Sequence, residues 1–175
     1  MRKRALPWIP MVAVLGLSVT PPAEASERGR LCEARGAYRG QFIVPSFGNF
    51  AYMSKIDGTK HAGTGDVVFA DLEPALLSFL GGTAVTPARG AWRRINRHAF
   101  ALTFFQYVWD DTGVLWKVKY SVAHDFGEDC RDSQLTARGQ VFPFDPDDPF
   151  TEGDPVFVID GTAISEKIRV EPWPE

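Results

Sequence analysis

Cysteine is almost missing from this chain. Cys32 and Cys130 are its two thiols in 175 residues. Two lone cysteines with no histidine near them in sequence are too few for a thiolate metal centre. Histidine is as sparse: His61, His98 and His124 fall on different expected elements, without metal-ligand spacing. Neither GxxxxGK[ST] nor a GxGxxG following a strand occurs, which removes the common nucleotide sites. HExxH and the G-x-S-x-G elbow are absent as well. No catalytic residue, metal or cofactor is therefore assigned. Basic residues are in deficit, 19 Lys and Arg against 22 Asp and Glu. Nucleic-acid binding needs a basic face. The one basic cluster, "RGAWRRINRH" from Arg89 to His98, reads as the solvated rim of a strand.

Long apolar runs are also lacking, save at the start. "MRKRALPWIPMVAVLGLSVTPPAEAS" has a basic opening at Arg2, Lys3 and Arg4 and an apolar stretch to about Val19. The small-x-small triplet Ala23-Glu24-Ala25 follows. That is the pattern of a secretory signal peptide, with cleavage expected after Ala25. The apolar stretch is broken by Pro7 and Pro10 and is shorter than the roughly 20 residues that span a bilayer. The expected organisation is residues 1–25 as signal peptide and 26–175 as one domain, secreted or periplasmic. Membrane contact is expected only before cleavage. Residues 1–25 hold three of the basic and one of the acidic residues. The remainder then carries 16 basic against 21 acidic residues, a net charge of −5. In an exported protein Cys32 and Cys130 read as a disulfide. It would close a loop of nearly a hundred residues, worth ~4 kcal/mol if chain entropy is the source.

What the chain has is strands. Eight are expected, at Ala37–Val44, Asn49–Ile56, Gly65–Asp71, Arg89–Ile95, Phe100–Trp109, Trp116–Val122, Ser133–Phe144 and Val156–Val170. Turn pairs punctuate them: Asp57-Gly58, Asn96-Arg97 and the strong hairpin signal Asp110-Asp111-Thr112-Gly113. Gly161 suggests a bend or bulge. "DLEPALLSFLGG" is the single helix, with Asp71 as cap, Pro74 in the first turn and Gly81-Gly82 as stop. It is too short to cover a sheet but could plug or lid one end. Short strands with hairpin connections mean an antiparallel meander. The long strands between Phe100 and Phe126 favour a closed up-and-down β-barrel over a sandwich.

Alternation assigns the faces. Lys117 and Lys119 are expected in water, which turns Trp116, Val118, Tyr120, Val122 and His124 inward. Leu135, Ala137, Gly139 and Val141 face them with small side chains, so that a taper is filled or a hollow is left. In the strand before, Phe100, Leu102, Phe104, Gln106 and Val108 form the expected inner set. A lone Gln106 in that wall needs a hydrogen-bond partner. The opposite set, Phe105, Tyr107 and Trp109, makes an outer aromatic stripe, a candidate surface for a homo-oligomer. "HDFGEDC" around His124 reads as a turn with solvated acids. "DPDDPFTEGD" is acidic but lacks the residue order of a dedicated Ca²⁺ loop.

The segments "TPARGAWRRINRHAFALTFFQYVWDDTGVLWKVKYSV" and "GTAISEKIRVEP" resemble a set of exported bacterial proteins of uncharacterised function. Gly90, Trp92, Phe100, Phe104, Asp110, Gly113, Gly161, Thr162 and Ile168 carry the likeness, which spans roughly Gly65 to Pro172. That set is similar to allene oxide cyclase-like and lipocalin-like (calycin) barrels. Relatives of such barrels include plant cyclases, dirigent proteins and bacterial polyketide cyclases, some of them trimers. The matching residues are turn and core positions, so the resemblance implies a fold and carries over no catalytic residue.

The leading functional expectation is a small exported barrel binding an apolar or amphipathic small molecule in its lumen. Trp92, Phe100, Phe104, Trp116, Tyr120 and His124 are the expected lining, with Gln106 as the orienting polar group. One alternative is a cyclase or isomerase that works by holding a flexible substrate in a reactive shape. Another is a structural or interaction protein with a solid core.

Overall fold

A computed structural model describes residues 31–45, 47–69 and 72–168. The signal-peptide segment, the Asp71 cap and the end of the last expected strand lie outside them. Among the described residues there are nine strands and one helix: β1 (Gly36–Val44), β2 (Gly48–Gly58), β3 (Ala62–Phe69), α1 (Leu72–Leu80), β4 (Ala84–Val85), β5 (Ala88–Arg94), β6 (Ala99–Asp110), β7 (Gly113–Phe126), β8 (Asp132–Pro143) and β9 (Phe157–Lys167). Every pairing is antiparallel. The order β6-β5-β3-β2-β1-β9-β8-β7 returns to β6, so eight strands close a barrel. The two-residue β4 rides beside the end of β6, opposite Val108 and Trp109. It had no counterpart among the expected strands, being too short to show a period.

Alternation sets the inner and outer faces. The side chains of β6 at Phe100, Leu102, Phe104, Gln106 and Val108 are all buried, as the inner set requires. Large rings lie over glycines on other strands. Tyr52 covers its cross-strand partner Gly40, and Phe42 covers Gly161. Gly161 is thus a site of close packing. The β8–β9 register runs through it without a shift, and the irregularity sits instead between Val108 and Trp109.

Two turns answer the sequence signals differently. Asp110–Gly113 turns as expected: Thr112 N donates to Asp110 Oδ1 at 2.7 Å, and Gly113 takes a positive φ of 135°. Asp57 and Gly58, in contrast, are paired within the β2–β3 ladder. The turn falls three residues later, at Lys60 and His61, where Thr59 N donates to Ala62 O at 2.9 Å.

Both ends of the barrel are stopped. At one end α1 buries Leu76 in the core, and Trp116 Nε1 donates to Leu80 O at 2.8 Å, satisfying a terminal helix carbonyl. Gly81, at φ 70°, ends the helix. At the other end Cys32 and Cys130 form a disulfide. Arg94 closes over the Phe100 ring, 4.7 Å from its centroid, and donates to Lys60 O, Asn96 O, Arg97 O and Cys32 O.

One expectation about faces is corrected. Lys117 does point outward but does not reach water, being 4% exposed. The irregular segment 144–156 folds over β7, and Lys117 Nζ donates to Pro149 O at 3.2 Å and Thr151 O at 2.9 Å. Lys119 pairs with Glu152 of the same segment. The acidic stretch is thus a strap held by lysines. The outer aromatics lie beside it: Lys119 sits over the Phe105 ring and Phe144 packs edge-on to Tyr107, while Trp109 is 37% exposed.

Candidate functional site

The lumen holds a cavity of about 50 Å³. Its wall is mostly apolar, with Phe42, Ile56, Phe69, Leu102, Phe104 and Ala137 among the contributors. Tyr52, Ser54, Tyr120 and His124 supply the polar groups. A second void of about 20 Å³ lies nearer α1, beside Leu76 and Gly139. Phe42 and Tyr120 line both and separate them. The larger cavity exceeds the 10–15 Å³ that one water needs, and has room for about four. A ligand of about four to six heavy atoms would match that space.

The expected lining residues scatter relative to this cavity. Phe104, Tyr120 and His124 border it. Trp92 and Phe100 pack edge to face toward the disulfide end, and Trp92 Nε1 donates to Asp57 O at 2.8 Å. Trp116 is half-buried against the helix end. Gln106 has the partners its burial demands: Nε2 donates to Thr86 O at 2.8 Å, and Oε1 accepts from Tyr120 OH at 2.9 Å. Tyr120, which borders the cavity, is therefore oriented by Gln106.

On the polar side of the lumen, Tyr120 and His124 were legible from strand parity, whereas the serines and Tyr52 were not assigned to it. His124 is buried, stacked on Phe126 at 4.4 Å and edge-on to Tyr38 at 5.6 Å. Burial lowers its pKa to about 4, so the ring is neutral near neutral pH. Its Nε2 shares a hydrogen bond with Ser133 Oγ, and Ser133 Oγ donates onward to Ser165 O at 3.4 Å. With that proton directed at a carbonyl, the imidazole is the donor to Ser133. Asp125, the acid next to His124 in sequence, points outward and is exposed.

Tyr52 OH and Ser165 Oγ, on residues each 6% exposed, have no hydrogen-bond partner among the described residues. They are close enough for Ser165 to lower the phenol pKa a little, against a larger rise from burial. No bond of proper geometry joins them. Unsatisfied buried hydroxyls are costly, and a guest or water that meets them recovers that cost. Serines at inner positions carry no sequence signal, since serine is as common on outer faces. Among the described residues, the ligating atoms that gather closely enough for a metal are those of Cys32, His98 and Cys130, not those of the acidic strap.

The architecture is the closed barrel with one short helix that the calycin-like resemblance implies. No protein family, curated protein or solved structure matches the chain.

Proposed function

We propose that this barrel binds a small, largely apolar, uncharged molecule in its lumen. The observation that carries the reading is the apolar cavity of about 50 Å³ bordered by Tyr52, whose buried hydroxyl lacks a partner. The apolar wall supplies affinity, and Tyr52, Ser54 and His124 select a guest with one hydrogen-bonding group. Such a cavity is too small for a long flexible substrate to be bent inside it, which ranks binding above cyclisation. The export signal and the two-cysteine pattern support binding outside the cytoplasm, with residues 1–25 removed. The part-covered stripe of Phe105, Tyr107 and Trp109 is the surface through which copies would associate.

Native mass spectrometry of protein from its own host tests these points together. The expected result is a chain beginning at Ser26, carrying the disulfide and retaining a small guest. In parallel, 1-butanol and benzene are titrated while the methyl resonances of Val67, Leu102, Val122 and Leu135 are followed. Saturable shifts at these methyls, lost when Ala137→Leu fills the cavity, support the reading. No shifts from any probe and no retained guest overturn it in favour of a solid-cored interaction protein.

A further inference from the structure

The disulfide has a neighbour that the sequence does not announce. His98 Nδ1 lies 3.2 Å from Cys32 Sγ, although 66 residues separate them. The three ligating atoms of Cys32, His98 and Cys130 all fall within 4.8 Å of one another. The Cys–Cys bond alone does not hold them there. Cys32 N donates to Arg97 O at 3.1 Å, and Arg94 Nη2 donates to Cys32 O at 2.7 Å. His98 N donates to Asn96 Oδ1 at 2.8 Å, and Phe126 N donates to His98 O at 3.0 Å. Cys130 N donates to Gly127 O at 3.0 Å, inside a turn closed by Gly127 N to Asp132 O at 2.9 Å. None of these six hydrogen bonds runs through the S–S bond.

We infer that reduction of the Cys32–Cys130 bridge creates a cation site of two thiolates and the His98 imidazole, suited to Zn²⁺. Two sulfurs and one nitrogen are donors of the softness that Zn²⁺ takes, and three protein ligands leave a fourth, open position for water. Sulfurs sharing one tetrahedral Zn²⁺ stand about 3.8 Å apart. With Cα atoms 5.2 Å apart, side-chain rotation alone reaches that separation. The cluster of Zn²⁺ and two thiolates is neutral, which suits a site whose Cys32 is fully buried.

The chemistry balances. Cys130 is half-buried and Cys32 is not accessible, so a reductant attacks Cys130 Sγ. The S–S bond breaks and its electron pair leaves on Cys32 Sγ, which is protonated beside His98. A phosphine supplies the two electrons and leaves as its oxide with oxygen from water. Both cysteines end as thiols. Metal binding then releases the two thiol protons.

Co²⁺ is the probe of the test, because thiolate ligation gives it a charge-transfer absorption band. The full chain is reduced with a phosphine, freed of reductant without air, and titrated. One Co²⁺ per chain is expected, with the band bleached by added Zn²⁺ and absent from the oxidised chain. Cys130→Ser should abolish the band. His98→Ala should keep a thiolate band but weaken binding tenfold or more. Circular dichroism of the reduced chain is followed with and without Zn²⁺. A barrel that persists and melts higher with Zn²⁺, or one that is lost and restored by it, supports the inference. A barrel lost on reduction that Zn²⁺ does not restore overturns it. So do a missing band, one metal shared by two chains, or unweakened binding in His98→Ala.

Discussion

His124 shows how one residue ties the lumen to solution conditions. In the unfolded chain it titrates near its ordinary 6.5, and inside the barrel burial holds it to about 4. Between those values the unfolded chain binds the extra proton. This contribution to stability is therefore complete above pH 6.5, falls as the pH drops toward 4, and changes no further below. The loss across that window is about 3 kcal/mol. Unfolding free energies from urea titrations at about pH 7.5 and about pH 4.5 should differ by about 2.5 kcal/mol less in His124→Phe than in the unsubstituted chain. The inward direction of His124 was legible, because it continues the parity of Trp116, Val118, Tyr120 and Val122. Its hydrogen-bond partner was not, since Ser133 reads as any polar surface residue. Lys117 fails for a different reason. A lysine in an alternating strand faces outward, and only a covering segment without periodicity of its own, the strap at 144–156, makes outward differ from wet.

At the scale of elements, the strands were readable where alternation and turn chemistry agreed, as in β6 and β7 across Asp110–Gly113. Where a turn pair could also sit in a ladder, as Asp57-Gly58 does, the signal misled by three residues. The glycines within strands are the informative case. Sequence suggests a bend or bulge at Gly161 and a small inner residue facing bulky ones at Gly139, and both make room for rings. A Cβ on Gly139 would meet the Tyr120 ring at 3.5 Å, an ordinary contact, whereas one on Gly161 would lie 2.8 Å from Phe42 Cζ and 2.9 Å from Ile43 O. Gly139→Ala should thus be neutral or stabilising by up to about 1 kcal/mol, through lower entropy of the unfolded chain. Gly161→Ala should cost about 1–3 kcal/mol, as overpacking does. Denaturant midpoints of the two variants, measured side by side, check the contrast.

For the molecule as a whole, a meander was legible but its closure less so, because a sandwich offers the same local patterns. What decides is the pairing of β1 with β9, between segments that are remote in sequence. The disulfide reinforces the same architecture by tying the stretch before β1 to the turn after β7, across 98 residues. Replacing both cysteines by serine should lower the unfolding free energy by about 4 kcal/mol with little change in the far-ultraviolet spectrum, measured by urea titration. The β1–β9 seam has a consequence in time. Every other pairing in the ring joins strands that follow one another along the chain or are parted only by α1 and β4. A polypeptide emerging from synthesis can therefore lay down most of its sheet early, but until Phe157–Lys167 arrives it carries two bare rows of amides and carbonyls, along β1 and β8. The hazard of sticking to other unfinished chains is greatest just before completion, and the last strand to be made removes it in one step.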